Sequence, residues 1–336
     1  MRLFGTEPSF YTRKAHLSLR LVRAPFADCL KTLANKEEIE AAVSGYHRFP
    51  VLDLGDGQWV VDSTRIGEAL CARFPARSLV PDDPPLAILV AIADDWFDEW
   101  FLRAAILFRA QSAGTRAFVA RVGAMNLLGL RQGATPTPEQ EAMIGRMVPG
   151  IEAFFLRSCE TNAVAGPGIA ATQALLARTA ALLESALAPF LFGSRPSLAD
   201  ASLWGFLDSG LLWEPEARAW VEANAPHLIG WHARLGEAPD PAAGQWDDLA
   251  TVAGRLAPLL GGDALGFAPF LAANRAALAT QARQLTLDGV SVPARGFTEK
   301  CRAEIARRIA TLSAADRARL DAATGDWPLV ALYAAP

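Results

Sequence analysis

A proline directly before a short apolar run marks the first stretch that could bind a ligand. It lies in residues 47–64, HRFPVLDLGDGQWVVDST. Proline cannot donate to a strand ladder and is tolerated at the first residue of a strand. If the bond between Phe49 and Pro50 is cis, the chain bends and leaves the Val51 amide and carbonyl open to an extended, peptide-like ligand. The alternative is an ordinary trans bond at a strand start.

Asp62 and Ser63 close the same stretch, directly before a helical pattern. The free amides and the dipole at a helix N-terminus attract an anion, so Ser63 can receive a carboxylate of a ligand. Asp62 can at the same time hold an ammonium group, and a free amino acid head carries both charges. The alternative is that the pair caps a helix and does nothing else.

The loop TEPSFYTRK, residues 6–14, is the second such stretch and joins the first predicted strand to the first predicted helix. Ser9 and Thr12 have the spacing of two redox cysteines in a thioredoxin-like fold, but neither is a thiol, so this loop cannot exchange disulfides. A hydroxyl there can instead donate to the sulfur of a bound thiol. Lowering a thiol pKa from about 8.5 to about 6–7 requires roughly 2–3.5 kcal/mol, which one such bond and a helix dipole can supply. The alternative for Ser9 is a turn residue that caps the helix.

The elements that would position these residues follow from the apolar pattern. Residues 1 to about 78 alternate as βαβαββα, with a hairpin turn at Gly-Asp-Gly, which predicts a small mixed sheet with helices on its faces. Residues 79–85 contain three prolines and two aspartates and predict a linker. Apolar residues then recur three and four apart to about residue 235, which predicts an all-helical domain.

The remaining chain predicts a two-stranded ribbon around an Asp-Gly turn at 284–292, followed by helices at 298–309 and 314–323. The predicted fold class is therefore α/β plus all-α, with a small α+β C-terminal extension of unknown role. The expected domains are 1–78, 86–240 and 241–336.

Composition excludes several classes of function. Hydrophobic residues make up 51% and charged residues 20%, and the net charge is -4, so no electrostatic footprint for nucleic acid is present. The N-terminal residues do not resemble a signal peptide, and the longest apolar run, residues 86–93, is too short to span a bilayer. We expect a cytoplasmic protein with no nucleic-acid or membrane partner.

Motifs for metal and nucleotide chemistry are missing from the sequence. The four cysteines include no CxxC pair, the four histidines form no HExxH pair, and neither a P-loop nor a GxSxG or GxGxxG motif occurs. We therefore expect no metal cofactor and no disulfide scaffold.

Four segments in this order and spacing resemble the soluble glutathione transferase superfamily over about the first 235 residues: LFGTEPSFYTRKAHLSLRLVRAPF, FPVL, VVDSTRIGEAL and FLFGSRPSLADASLWGFL. The resemblance implies a thioredoxin-like domain that holds glutathione as co-substrate and a helical domain that holds a hydrophobic electrophile. It further implies roles by position: Ser9 activates the sulfur, Pro50 is a cis-proline, Val51 pairs with the cysteinyl unit, and Asp62 with Ser63 anchors the γ-glutamyl head. Residues 197–200, Ser-Leu-Ala-Asp, match the capping box of a buried helix in the second domain.

The sequence also departs from the family pattern. Phe10 and Tyr11 stand where a proline or cysteine is common, so Tyr11 or Thr12 are alternative hydroxyl donors. The segment that ends at Phe49 lacks the Gly-Lys-Val-Pro motif that is usual in the family. The contact to the glycyl carboxylate is therefore left among three basic residues, His47, Arg48 and Arg13.

Trp96 and Trp100 are four residues apart and share one face of a predicted helix. They could wall a hydrophobic substrate pocket, or fill the domain core or a dimer seam.

Two functions follow from the resemblance. The first is a metal-independent, glutathione transferase-like enzyme in which the glutathione thiolate attacks a hydrophobic electrophile. The second is a binding or scaffold protein that keeps the fold without catalysis. We expect a homodimer in either case.

Overall fold

The N-terminal part of the chain has the predicted βαβαββα order in the computed structural model, which describes residues 1–187 and 189–335. Its elements are β1 (Arg2–Gly5), α1 (Phe10–Leu21), β2 (Ala27–Leu30), α2 (Lys36–Ala42), β3 (Val51–Asp53), β4 (Trp59–Val61) and α3 (Ser63–Arg73). The predicted order of elements is therefore confirmed.

The sheet has the strand order β2-β1-β3-β4. Strand β1 pairs parallel with β2, whereas β3 pairs antiparallel with both β1 and β4. Phe4 lies opposite Val51, and Val51 lies opposite Val61. Because of this register, the carboxyl end of β1, the amino end of β3 and the carboxyl end of β4 meet at one end of the sheet.

Most of the chain beyond residue 84 is helical. The helices are α4 (Pro84–Trp96), α5 (Leu102–Ala105), α6 (Leu107–Gln111), α7 (Ala113–Leu127), α8 (Pro138–Thr161), α9 (Gly168–Ala186), α10 (Leu198–Phe206), α11 (Pro215–Asn224), α12 (His227–Gly236), α13 (Leu249–Leu260), α14 (Phe267–Ala279), α15 (Gly296–Ala310), α16 (Ala314–Thr324) and α17 (Pro328–Ala334). The predicted ribbon is formed by β5 (Gln284–Leu287) and β6 (Val290–Pro293), which pair antiparallel.

The predicted linker at 79–85 ends earlier than expected. Pro84 and Pro85 open helix α4 instead of lying before it. Proline suits the first helical turn because its missing N–H would have no partner inside the helix anyway.

The chain packs into two compact units. The first consists of Met1–Leu79, Phe108–Cys159 and Ala201–Pro241, and the second of Val80–Leu107, Glu160–Asp200 and the residues from Ala242 onward. The predicted extension packs in the same unit as α4 and α9, so packing groups the segments differently from the three expected domains. The residue boundaries expected for the three domains remain a prediction.

The predicted fold class is confirmed. A small mixed sheet with helices precedes a mostly helical part, and a short strand pair lies in the C-terminal extension. Within the first unit, Phe4, Ile39 and Val51 form the core cluster beside the sheet. Within the second unit, Trp96 stacks on Phe101 and the hydroxyl of Tyr333 donates to the buried Asp95 carboxyl.

No single helix in the described residues has the length and apolar composition to cross a bilayer, and α13 meets this composition only when it is combined with Ala264–Ala279 across a 55° bend. Across residues 1–187 and 189–335, no group of three or more His, Cys, Asp or Glu side chains is placed to hold a metal ion. None of the four cysteines, which all lie in the described residues, forms a disulfide.

The capping box predicted for α10 is present and buried. Ser197 Oγ accepts from the Asp200 amide at 3.2 Å, and the Asp200 carboxylate accepts from the Ser197 amide at 2.8 Å and from the Leu191 amide at 2.9 Å. Burial raises the pKa of Asp200 to about 6. An exposed counterpart opens α16, where Ser313 Oγ accepts from the Asp316 amide at 3.0 Å.

We predict that Asp200→Ala lowers the free energy of unfolding by about 2–4 kcal/mol, because it removes a cap and leaves buried amides without an acceptor. Asp316→Ala removes the equivalent residue of the exposed box and should cost about 1 kcal/mol or less. The midpoints of urea unfolding measure both. Equal losses of unfolding free energy in the two variants would contradict the prediction that the buried box contributes more to stability than the exposed one.

Candidate functional site

The segments that carry the predicted site residues meet at one end of the sheet. The loop of Ser9 follows β1, Pro50 precedes β3, and Asp62 follows β4, so the register of the three strands brings them together. A side-chain contact links two of them directly: Nζ of the buried Lys14 in α1 donates to Oγ1 of Thr64 in α3 at 2.8 Å.

Three hydroxyl groups stand near the start of α1 and differ in what they can reach. Ser9 is the N-cap: its Oγ accepts from the Thr12 amide at 3.1 Å, and its side chain is 8% exposed. This bond uses a lone pair of the oxygen and leaves the O–H free to donate. Thr12 Oγ1 is buried without a partner in the described residues and faces Gly5. Tyr11 is half-buried, with its ring edge on Phe206.

A buried asparagine holds the loop between β1 and α1. Oδ1 of Asn126 accepts from the Thr6 hydroxyl at 2.8 Å and from the Glu7 amide at 2.7 Å. Its Nδ2 donates to the Glu7 carboxylate at 2.7 Å, and that carboxylate also accepts from the Gln132 amide at 2.8 Å. Asn126 is 1% exposed, so these bonds are shielded from water and fix the loop just before Ser9.

A buried ion pair holds the other side of the same loop. Arg109 Nε lies 2.6 Å from Glu214 Oε1, and Arg109 Nη2 donates to the Pro8 carbonyl at 3.4 Å. The guanidinium also lies 4.5 Å from the ring centroid of Phe10. The residues on both sides of Ser9 are therefore held by one arginine. Burial raises the pKa of Glu214 to about 7, although the Arg109 charge opposes this shift.

The bond between Phe49 and Pro50 is cis, as predicted. Val51, however, lies opposite Phe4 on one side and Val61 on the other, so its strand has neighbours on both edges. The expected open backbone at Val51 is therefore better placed at Phe49, which precedes the ladder and is 37% exposed. In the described parts of the chain, no group hydrogen-bonds to the main chain of Phe49.

Asp62, and not Ser63, is the N-cap of α3. Oδ1 of Asp62 accepts from the Thr64 amide at 3.0 Å and from the Arg65 amide at 3.2 Å, whereas Ser63 is the first helical residue. Asp62 adopts φ +75°, an uncommon conformation for a residue with a side chain, and such strain often marks a ligand contact. The two residues thus place a carboxylate and a hydroxyl side by side at a helix start.

Arg13 is paired with an acidic residue and stacked on a ring. Its Nε bonds to the Asp208 carboxylate, and its guanidinium lies 5.6 Å from the centroid of the Trp204 ring. Asp208 also contacts His232 Nε2 at 3.0 Å. Burial acts to raise the pKa of Asp208, but the hydrogen bond with His232 and the Arg13 charge lower it below its usual value. Arg13 therefore has an acidic partner within its own unit.

Two other basic residues, His47 and Arg48, remain exposed before Phe49. The Arg48 carbonyl accepts from Lys31 Nζ at 3.3 Å, and this lysine also pairs with Glu40 at 3.0 Å. Lys31 follows β2 and thereby fixes the main chain that leads into the cis bond.

Trp96 and Trp100 are both buried in the second unit. Trp96 Nε1 donates to the Ala264 carbonyl and Trp100 Nε1 to the Leu265 carbonyl, each at 3.0 Å. Trp96 is 0% exposed and packs on other rings, which agrees with the alternative that it fills the domain core. Trp100 lies beside a pocket within its unit.

Two family comparisons match this chain. Residues 3–78 match the model of the glutathione S-transferase N-terminal domain, and residues 166–234 match that of the C-terminal domain. Over these two ranges the chain is similar to the N- and C-terminal domains of glutathione S-transferases. The resemblance predicted from the sequence is thereby confirmed, and the C-terminal extension lies beyond the matched residues.

Solved structures of glutathione transferases are also similar to this chain, at low identity. The beta-etherase LigF from Sphingobium sp. strain SYK-6 is 20% identical, with a TM-score of 0.45, covering 72% of this chain and 96% of its own. The tau class enzyme from mango, Mangifera indica, is 17% identical, with a TM-score of 0.42 and coverages of 72% and 89%. The glutathione S-transferase from Methylobacillus flagellatus, solved with glutathione bound, is 22% identical, with a TM-score of 0.38 and coverages of 71% and 98%. A search of the curated proteins found no match.

Sequence reasoning missed the residues that fix the Ser9 loop. Asn126 contacts Glu7 across 119 positions, and Arg109 contacts Pro8 across 101 positions. No local sequence pattern predicts such contacts, because the residues around Asn126 and Arg109 look like those around any polar residue of a helix. The sequence contains only a weak indication for Lys14, which is a charged residue among apolar residues of α1.

We predict that Glu214→Gln, which keeps an acceptor for Arg109, makes stability less dependent on pH. The pKa of Glu214 is raised from 4.5 to about 7, so the folded protein binds this proton more tightly than the unfolded chain does. Its contribution is full below about pH 4.5 and is lost as the pH rises through 7. Relative to the variant, the wild type should lose up to about 3 kcal/mol over this range.

Urea unfolding between about pH 4.5 and 8 measures the difference. Glu141→Gln is the matched control, because Glu141 pairs with Arg121 on the surface at 2.6 Å. Parallel pH profiles for the wild type and Glu214→Gln would contradict the prediction.

Proposed function

We propose that this protein binds glutathione at the end of the sheet and activates its thiol for attack on a hydrophobic electrophile. The observation that carries the proposal is the strand register, which brings the Ser9 loop, the cis Phe49–Pro50 bond and the Asp62–Ser63 pair to one place. The match of residues 3–78 to the glutathione S-transferase N-terminal domain supports glutathione as the peptide.

In this proposal Ser9 stabilises the thiolate. Its oxygen accepts the Thr12 amide, which orients the hydroxyl and leaves its proton to donate to the sulfur. The thiol proton leaves to solvent, the sulfur forms a bond to the electrophilic carbon, and the leaving group departs with the electron pair of the broken bond. The start of α1 adds a favourable dipole, because the amides of its first turn point toward the sulfur.

Asp62 and Ser63 hold the γ-glutamyl head. The carboxylate of Asp62 uses one oxygen for the two amides of α3, and the other oxygen receives the ammonium group. The hydroxyl and the main-chain amide of Ser63 receive the α-carboxylate, since the Thr64 and Arg65 amides already donate to Asp62. The main chain at Phe49 pairs with the cysteinyl unit, because the strand of Val51 already has neighbours on both edges. The exposed His47 and Arg48 are the candidates for the glycyl carboxylate, since Arg13 is paired with Asp208.

The Asn126 and Arg109 contacts serve in this proposal as a rigid support for Ser9. A thiol-activating hydroxyl must stay within hydrogen-bond reach of the sulfur, and small displacements of such groups strongly reduce rates. Bonds from Asn126 to Thr6 and Glu7, and from Arg109 to Pro8, restrain the loop at each residue before Ser9.

The electrophile, its contact with Trp100, the homodimer and the cytoplasmic location remain expectations from the sequence, whereas Trp96 is fully buried. A binding or scaffold protein that has lost catalysis is the alternative, and glutathione binding without turnover would favour it.

Removal of the Ser9 hydroxyl tests the proposed chemistry. We predict that Ser9→Ala lowers kcat at least tenfold with 1-chloro-2,4-dinitrobenzene as acceptor, because the thiolate loses its donor. It should raise the pKa seen in the pH profile of kcat/KM, while the Kd for glutathione changes less than threefold. Loss of the N-cap should cost about 1 kcal/mol of stability without unfolding the protein.

Two matched variants assign the hydroxyl. Thr12→Val removes a hydroxyl that is buried and should leave the rate and the pH profile unchanged, and Tyr11→Phe should do the same if Ser9 is the donor. A tenfold loss in Tyr11→Phe with normal Ser9→Ala kinetics would assign the role to Tyr11 instead.

Removal of the negative charge of Asp62, at the start of α3, tests the proposed glutathione site. We predict that Asp62→Asn raises the Kd for glutathione at least tenfold, because the ammonium group loses its counter-ion. Asparagine keeps the cap and tolerates the positive φ of this position, so the fold should persist. Asp248→Asn, in the equivalent cap of α13, is the control and should bind normally. Calorimetric titration that shows the same Kd for both variants would refute the assignment.

A further inference from the structure

We propose that the second unit contains a binding site for a neutral, planar phenol, formed by the C-terminal extension together with the segment that follows α4. The pocket has a volume of about 390 Å³, which lies within the range of small-molecule sites. All of its lining residues belong to the second unit. Of the residues that the sequence predicted for a site, only Trp100 lines it, so this proposal does not depend on glutathione binding.

Aromatic rings with fixed orientations form one wall of the pocket. Trp100 Nε1 is anchored on the Leu265 carbonyl at 3.0 Å, and its ring stacks on Phe270 with centroids 5.3 Å apart. A side chain at Gly266 would place its Cβ 3.1 Å from Trp100, so glycine permits this close approach. The faces of both rings are covered, since Arg103 lies over Trp100 and Arg295 over Phe270, so the pocket meets their edges. A flat apolar ligand can lie against these edges, which are already held in place, and little ordering is required on binding.

The backbone around this wall is unusual at two points. Ala264 and Leu265 adopt φ values of +49° and +56°, although neither is glycine. Trp100 itself lies in a π-helical turn, Phe97–Phe101. Both features are uncommon and are concentrated at functional sites, and here they shape the same pocket.

A buried arginine forms the polar end of the pocket. Arg103 is 2% exposed, and its Nε donates to the Asn162 carbonyl at 3.0 Å. Its Nη2 contacts Thr172 and pairs with Asp288 of the ribbon turn. Within the described residues, Nη1 has no protein partner. The guanidinium lies over the Trp100 ring, 4.6 Å from its centroid, and Arg103 also lines the pocket, so a donor is available beside the aromatic wall.

Charge balance at this end selects a neutral ligand. Asp288 neutralises Arg103 and also lines the pocket, with 31% of its side chain exposed. A ligand carboxylate could accept from Nη1 but would be repelled by Asp288. A phenol hydroxyl accepts from Arg103 and donates to Asp288, so it satisfies both groups without a net charge. Leu175 and Ala171 offer apolar surface for the rest of the ring system.

The experiment compares three molecules of the same shape. We expect 2-naphthol at neutral pH to bind the wild type at least tenfold more tightly than 2-naphthoate, as measured by equilibrium dialysis. Ala171→Phe, which fills the pocket from α9, should weaken 2-naphthol binding at least tenfold. Ala170→Phe is the matched control on the adjacent, exposed position and should bind like the wild type. Naphthalene, without a polar head, should bind at least fivefold more weakly than 2-naphthol.

Asp288→Asn tests the charge argument. Asparagine suits the turn, where Asp288 and Gly289 have φ values of +50° and +76°, so the ribbon should stay folded. The variant should bind 2-naphthoate at least fivefold more tightly than the wild type does. Three results would overturn the proposal: equal affinity for 2-naphthol in Ala171→Phe and the wild type, equal affinity of the wild type for phenol and carboxylate, or no gain for 2-naphthoate in Asp288→Asn. Ser9→Ala should leave all of these affinities unchanged, which separates this site from the proposed thiol chemistry.

Discussion

Antiparallel pairing of β3 with both of its neighbours is the constraint on which the candidate site depends. Since Phe4, Val51 and Val61 lie side by side, one end of the sheet receives the loop after β1, the cis bond before β3 and the start of α3. A slip of one residue would turn the alternate side chains of β3 to the other face and remove Val51 from the core cluster. The same apolar burial that sets the register therefore also places the polar residues.

Buried polar contacts then fix what the sheet has brought together. Asn126 and the Arg109–Glu214 pair hold the main chain just before Ser9, and both are shielded from water. Burying an ion pair is costly, and an apolar pair of similar volume is often as stable. What these groups supply is a defined position for the loop, because their hydrogen bonds have direction and apolar contacts do not.

The C-terminal extension is an integral part of its unit. It packs on α4 through the Tyr333 hydroxyl, which donates to Asp95. It also packs on the π-helical turn after α4, where Phe267 and Phe270 contact Trp100. Burial raises the pKa of Asp95 well above its usual value, although the hydrogen bond from Tyr333 opposes this shift. A segment without a counterpart in the matched family domains thus completes a core and, with it, a pocket.

The sequence by itself determined the local elements and the resemblance that linked them to a family. Hydrophobic periodicity, the Gly-Asp-Gly turn and the Ser197 box depend on neighbours along the chain, so they were predictable. Tertiary structure alone decided which residue caps α3, that Arg13 binds Asp208, and that Trp96 is fully enclosed. The reason is physical: the backbone angle of Asp62 and the partner of a long charged side chain are set by groups far away in sequence. A local sequence pattern contains no information about those groups.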